Sequence, residues 1–357
     1  MLPFLREYHA DPGRLHAEGR ATRVAIEEAR EQVAALFGAR PREVVFTSSG
    51  TEAVNTAVWG AVARAGGGAH VVTTAVEHSA VFESCARLPD TDVTVVGVDS
   101  TGRFDPEEVA AAVRDDTALV TVQLANHEVG TLQPAMETVA TAHARGVVVH
   151  VDACAAAGHV PVDFASLGAD LCSVTAHKFG GPKGVAALLV RRGLRFPPFV
   201  LGGAQERARR GGIENVPAIV GFGAAAAELG DEGLERETLV ARGLTTRLAK
   251  ETLAAVADVE RFGDPVHALP HLVCFGVGGV EAEPILLALD QRGIAVHSGS
   301  SCSSEMLEPS PVLAAMGVDA DHSLRVSVGW NSTESDIDVF LAEFPGIVER
   351  LRGLRTA

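Results

Sequence analysis

Aromatic residues make up only 5% of this 357-residue chain. A core poor in large rings must be filled by small and branched side chains, which suits closely packed helix–sheet layers. The five cysteines, at 85, 154, 172, 274 and 302, are odd in number and include no Cys-x-x-Cys spacing. That excludes a disulfide framework and a zinc ribbon. There is no Gly-x-x-x-x-Gly-Lys-Ser/Thr phosphate loop. Gly221-Phe222-Gly223-Ala224-Ala225-Ala226 formally fits a dinucleotide pattern, but it lies inside a helical segment and follows no strand. The start, Met1-Leu2-Pro3-Phe4-Leu5-Arg6-Glu7, lacks the basic region and apolar core of a signal peptide. The longest uncharged stretch, Asn215 to Ala227, is too short to span a bilayer. Positive charge is also in deficit: the net charge is -16, which repels phosphate backbones. The expectation is a cytoplasmic protein with no membrane and no direct nucleic-acid partner.

What is present is an alternation of apolar runs and helical patterns. Strands are predicted at Val44–Thr47, Val71–Thr74, Val93–Val98, Leu119–Gln123, Val147–Asp152, Leu171–Val174 and Val185–Val190. Helices are predicted at Arg20–Phe37, Glu52–Ala65, Ala80–Arg87, Pro106–Val113 and Glu137–Arg145. Such alternation means an α/β fold with a mainly parallel sheet between helices, here of seven strands. About ten residues without a helical pattern separate Val174 from Val185, too few for a parallel crossover. The last two strands should therefore run antiparallel. Residues 1–19 read as an irregular lead-in, packing on the small domain, and 1–232 as a large domain. A helical segment from about Pro217 to Ala257 bends at its charged middle, 230–237. Residues 233–357 read as a smaller α+β domain: strand Leu272–Val277, helix Glu283–Arg292, strands Ile294–Val296 and Leu324–Val328, and helix Glu334–Leu351.

In open sheets of this kind ligands sit outside the carboxyl ends of the strands. Lys178 stands at such an end, between His177 and the turn Gly180-Gly181-Pro182-Lys183-Gly184. It is either a surface lysine beside a turn or an amine placed to form a Schiff base. Asp152, Gly50 with Thr51, and Asn126 with His127 share that edge. Ser48-Ser49-Gly50-Thr51-Glu52 opens a helix, as an N-cap or as an anion cradle. His150, Asp152 and Cys154 share one strand face, which fits a metal site or an acid aimed at a protonated ring nitrogen. His78 follows a strand as a loop residue or a ring-stacking proton carrier. Cys302 lies in the small polar loop Ser298-Gly299-Ser300-Ser301-Cys302-Ser303-Ser304-Glu305, a setting that suits exposure; the other cysteines read as structural. Arg325 is an edge residue or a fork for a carboxylate.

Taken in order, these pieces resemble the cysteine desulfurases, the class V branch of the fold type I pyridoxal-phosphate enzymes. The resemblance rests on Phe46 to Glu52, Glu77-His78, Asn126 to Thr131, His150 to Ala153, Ala176 to Gly184, Gly203 to Arg207, Ser298 to Ser304 with Leu307 to Ser310, and Ser323 to Ser327. It implies a homodimeric enzyme that uses pyridoxal 5'-phosphate to turn L-cysteine into L-alanine, with a persulfide on Cys302 passing to a protein sulfur acceptor. It implies that Lys178 anchors the cofactor, His78 stacks on its ring, and Asp152 pairs with the pyridine nitrogen. Gly50, Thr51, Thr175 and His177 would hold the phosphate, with His127 and Asn126 at the ring or substrate and Arg325 on the substrate carboxylate.

The departures from the family pattern are specific. His127 stands where the family commonly has a second asparagine. Ala155 stands where a glutamine hydrogen-bonds the ring hydroxyl; His127 is expected to take over that contact. Ile213 stands where a threonine reaches the partner subunit's phosphate. The resemblance also places Met1 beyond an N-terminal segment that lines the family's active site. Rival readings are a selenocysteine lyase or other C–S lyase of the same fold, or a non-catalytic sulfur-relay partner. The Cys302 loop favours desulfuration. The sequence does not name the acceptor.

Overall fold

The computed structural model describes residues 1–66, 68–298 and 310–355, apart from the side chains of Asp231 and Arg355. It comprises two compact units: Met1–Val96 with Asp105–Leu124 and Pro134–Leu234, and Gly97–Phe104 with Ala125–Gln133 and Glu235–Ala357.

The first unit opens with α1 (Leu2–Arg6) and α2 (Ala17–Leu36). The lead-in is thus partly helical, against the expectation of an irregular segment; Pro3 in the first turn leaves no N–H to waste there. Then come β1 (Val44–Thr47), α3 (Gly50–Ala65), β2 (His70–Thr74), α4 (Ser79–Ala86), β3 (Asp92–Val96), α5 (Pro106–Ala112) and β4 (Thr117–Gln123). These are followed by α6 (Ala135–Ala144), β5 (Val148–Asp152), α7 (Phe164–Leu167), β6 (Leu171–Thr175) and β7 (Ala186–Val190). The seven strands form one sheet in the order β1-β7-β6-β5-β4-β2-β3. β7 runs antiparallel to both neighbours, and the other pairings are parallel. The short β6–β7 connection therefore does what its length demands, although it holds one turn of 3-10 helix, Ala176–Phe179, that the sequence does not announce.

Strands β1, β2, β6 and β7 are buried at every position, as helices on both faces require. Val54 and Val58 of α3 pack with Val71 and Leu119, and Ala53 and Ala57 pack with Val45, Leu171 and Leu188. α3 starts where Ser49 accepts the Glu52 N–H (3.1 Å) and stops at Gly66 in the left-handed region. Then follow α8 (Gln205–Ala208) and the start of α9 (Val216–Ala255). The helical backbone of α9 breaks at Gly230 (φ 41°, ψ −166°), inside the charged stretch where a bend is expected.

The second unit holds β8 (Val259–Phe262), β9 (Leu272–Val277), α10 (Ala282–Asp290), α11 (Pro311–Ala315), β10 (Ser323–Ser327) and α12 (Glu334–Arg355). Its sheet has the order β10-β9-β8, all antiparallel. Phe275, Leu324, Leu248, Ile285 and Phe344 form its core. Ile294–Val296 is not a strand: among the described residues the nearest pairing is a single bridge from the next residue, His297, to Arg325. Three β-branched and small residues are too few to hold a ladder on their own.

Candidate active site

In the first unit, β5 and β6 end, and α3 and α4 begin, at one edge of the sheet. β6 ends at Thr175, and the 3-10 turn that follows carries His177 and Lys178. Gly180 closes the turn at φ 84°, a conformation that penalises a side chain. Phe179 is buried while Lys178 is exposed, so the turn is pinned by its apolar residue and presents its amine. The Thr175 hydroxyl and His177 Nδ1 are 2.9 Å apart. Burial, with the charges of Lys178 and Lys183, presses the His177 pKa below the usual histidine value. His177 is therefore neutral at pH 7 and can donate one N–H without adding charge.

Asp152 ends β5 and is almost fully buried. Its Oδ1 accepts the Cys154 N–H (3.0 Å), which fixes the carboxylate's orientation. The Cys154 thiol is also hydrogen-bonded to Asp152, and burial, then the Asp152 charge, drives its pKa well above the usual thiol value. It is a neutral neighbour, not a nucleophile.

Gly50 and Thr51 form the first turn of α3, where backbone N–H groups have no intrahelical acceptor and the helix dipole favours an anion. A Cβ on Gly50 would lie 2.8 Å from Cys154 Sγ, so only glycine lets the helix end approach Cys154 this closely. The cradle is braced from behind. Glu52 accepts from the Ser48 N–H (2.9 Å) and from Arg210 (2.9 Å). Burial acts to raise the Glu52 pKa, yet Arg210 and Ser48 hold it below the carboxylate norm. A second brace is fully buried. Both oxygens of Glu206 meet the Arg30 guanidinium at 2.7 Å, and Oε2 also accepts the Phe46 N–H at 2.9 Å. Neither brace is predicted from sequence, because their partners lie 158 and 176 residues apart.

His78 caps α4: its Nδ1 accepts the Ala80 N–H at 3.0 Å. The neutral ring therefore carries its proton on Nε2. Glu77, beside it, accepts from the Thr74 hydroxyl (2.5 Å) and the Gln123 N–H (3.0 Å), tying the His78 loop to the end of β4.

The metal reading of His150, Asp152 and Cys154 fails. Both ring nitrogens of His150 are engaged, by the hydroxyls of Thr121 and Ser173 at 2.8 Å each. Burial takes its pKa down to about 4, and among the described residues no group of three or more such side chains is placed to hold a metal ion.

In the second unit, Asn126 and His127 lie in a tight turn. Asn126 Oδ1 accepts the N–H groups of Glu128 (2.8 Å) and Val129 (2.9 Å), so that oxygen shapes the loop. The His127 carbonyl accepts from Arg325 at 2.9 Å, and His127 Nε2 is 3.5 Å from Glu128. Arg325 sits on β10, half-buried, bridged through its backbone to His297. Ser310 caps α11 and donates to buried Glu128. Cys302 lies outside the described residues.

The donor set of the first unit fits pyridoxal phosphate: a presented amine, a buried carboxylate with a fixed orientation, and a glycine-opened helix end for a phosphate. The comparisons point the same way. The model of the Aminotransferase class-V family matches residues 1–340. A cysteine desulfurase IscS of Dictyoglomus turgidum is 41% identical over 99% of this chain and 91% of its own length. A cysteine desulfurase of a Nostoc species is 43% identical over 99% of this chain and 90% of its own. Among solved structures, a NifS-like protein superposes with a TM-score of 0.91 at 32% identity, covering 98% of this chain and 94% of that one. The chain belongs to the aminotransferase class-V family and, within it, to the cysteine desulfurases.

Proposed function

We propose that the protein is a pyridoxal-phosphate-dependent L-cysteine desulfurase that releases L-alanine and leaves the sulfur as a persulfide on Cys302 for a protein acceptor. The observation that carries this reading is the convergence of Lys178, Asp152 and the α3 end at one sheet edge, in a chain that matches cysteine desulfurases over 99% of its length. When bound, the cofactor's ring supplies an electron sink for bond changes at the substrate's α- and β-carbons. Asp152 holds a proton on the ring nitrogen through a buried carboxylate. Gly50, Thr51, Thr175 and His177 bind the phosphate with backbone and side-chain donors. His78 would stack on the cofactor ring, with Nδ1 engaged by the Ala80 N–H. Lys178 supplies the anchoring amine and then a base beside the substrate's α-carbon. Arg325 grips the substrate carboxylate, with Asn126 and His127 alongside. The Cys302 thiolate attacks the substrate sulfur, whose bond to carbon breaks as the S–S bond forms.

We also infer a homodimer. Leu201 and Ile213 are 79% and 65% exposed, and they flank the Gly202–Gly212 loop that braces the phosphate cradle. An apolar side chain at each end suits burial against a second copy; sedimentation reads the outcome. Among the described residues no helix is long and apolar enough to cross a membrane, and we place the protein in the cytoplasm.

The test is turnover. Purified protein with pyridoxal phosphate should be yellow, the colour should vanish in Lys178→Ala, and cysteine should yield equal alanine and sulfide under reductant. Cys302→Ser should keep the colour and lose sulfide release. A colourless wild-type protein that stays inert with added cofactor would sink the reading.

A further inference from the structure

Gln123 ends β4, and its side chain has no part in the chemistry described so far. The residue is 3% exposed, yet its side-chain Nε2 is buried without a hydrogen-bond partner. An amide left in this state carries an uncompensated desolvation cost, and such groups call for a reason. Its backbone is fixed from both sides: the N–H donates to Glu77, and the next residue, Leu124, donates to the Asp152 carbonyl at 2.8 Å.

The sheet register shows where the amide lies. Thr121 pairs with His150, and Gln123 with Asp152. The Thr121 hydroxyl and His150 Nδ1 are 2.8 Å apart, so that pair faces one side of the sheet. Side chains two residues on return to the same side. Gln123 and Asp152 are therefore neighbours on one face, at the edge where the cofactor is read to bind.

The chemistry of the ring then selects one acceptor. Around the pyridine ring, the phosphate arm and the hydroxyl oxygen flank the carbon that joins Lys178, on opposite sides, with the nitrogen across from it. The candidate phosphate ligands follow β6 (Thr175, His177) and β1 (Gly50, Thr51). In the strand order β1-β7-β6-β5-β4, both lie on one side of β5. With the nitrogen at Asp152 on β5 and the phosphate toward β6 and β1, the ring oxygen is turned toward β4. On β4 the Gln123 amide is a donor without a partner, an alternative to the His127 expected at that contact. Resting on the cofactor reading above, we propose that Gln123 donates to the ring oxygen of pyridoxal phosphate, doing from β4 what Ala155, with no polar side chain, does not do from the loop after β5.

The test is a binding cycle on cofactor-free protein, read by absorbance and intrinsic fluorescence, with pyridoxal phosphate and its 3-deoxy analogue, which lacks the ring oxygen. Gln123→Met keeps the length of the side chain and removes the donor. It should bind pyridoxal phosphate about five- to tenfold more weakly, the worth of one ordinary hydrogen bond, and bind the analogue as wild type does. Gln123→Glu, which keeps the shape and places an acceptor opposite the oxygen, should weaken binding of pyridoxal phosphate further. Cofactor-free Gln123→Met should melt no lower than wild type, because it loses an unpaired amide rather than a bond. Equal affinity of wild type and Gln123→Met for pyridoxal phosphate, an equal loss for both compounds, or a lower melting temperature of the cofactor-free variant overturns the proposal. Wild-type protein that binds neither compound overturns the cofactor reading itself, which is a different result.

Discussion

Glu206→Gln is the most informative single perturbation of the scaffold behind the site. Arg30 and Glu206 are 1% and 2% exposed at their side chains and meet through two bonds of 2.7 Å. Arg30 also donates to the Val44 carbonyl (3.0 Å) and lies 4.7 Å over the Phe46 ring. Burial acts to lower the Arg30 pKa, but the Glu206 carboxylate, together with Glu27 at 3.2 Å, raises it above the usual arginine value, so the guanidinium stays charged. Glutamine keeps the shape but turns an NH2 toward either the guanidinium or the Phe46 N–H. Breaking one side of such a buried pair costs about 3–5 kcal/mol, against about 5–15 kcal/mol for a whole domain. In thermal unfolding followed by circular dichroism, the loss should read as roughly 10 °C. Arg30→Met should cost about as much alone. The double variant Arg30→Met/Glu206→Leu should recover most of the loss, because two apolar groups leave no buried charge behind. A residue of about 1 kcal/mol should remain from the Phe46 N–H. Charge can be separated from backbone strain at the same turn. Glu206, Arg207 and Ala208 all have positive φ, at 46°, 59° and 61°, so Ala208→Gly should stabilise by about 1 kcal/mol. Single variants that each lose under about 1 kcal/mol, or losses that simply add in the double variant, would refute the reading of the pair as a coupled buried brace.

Other outcomes follow from the same geometry. A Cβ on Gly158, at φ 78°, would lie 2.2 Å from the Phe179 Cβ; Gly158→Ala should cost about 3 kcal/mol or more and weaken cofactor binding by shifting the Lys178 turn, which denaturant unfolding and cofactor titration would read. His150 titrates near 4 when folded, against about 6.5 unfolded, so the unfolded chain takes up the proton first as pH falls. Stability should therefore drop between pH 6.5 and 4, and His150→Asn should escape about 2 kcal/mol of the loss between pH 7 and 5 in urea unfolding. Burial pushes the Cys85 and Cys274 thiols up to about 12; iodoacetamide at pH 8 should leave both unlabelled in folded protein while modifying Cys302, as peptide mapping would show.

Much of this architecture is legible because strand ends and helix starts are marked locally. The apolar runs that end at Thr47, Gln123, Asp152 and Thr175 sit at one sheet edge because parallel strands put their carboxyl ends together. The reversed direction of β7 follows from the length of one connection. Local marks fail where the signal is short or distant. β8 reads Val-Glu-Arg-Phe, half of it charged, with one fully buried position. The Ile294–Val296 stretch has strand-like residues but lacks a neighbour to pair with along its length. Gln123 reads as the polar end of a strand, and only the burial of its amide makes it unusual. Cys154 reads as a small structural residue until Gly50 brings the α3 end against its sulfur.

The position of β1 at the sheet border has a consequence for the order of assembly. Its sole partner in the sheet is β7, with Val44 opposite Leu189. On a ribosome, the loop after β1 is made early, but its strand has nothing to join until some 140 further residues have emerged. Until Glu206 follows, Arg30 lacks its buried counter-charge and has the more exposed Glu27 beside it. Residues from three distant moments of translation must meet before the helix end at Gly50 is set; on the phosphate role proposed for that end, cofactor capture waits until the 202–212 loop is out.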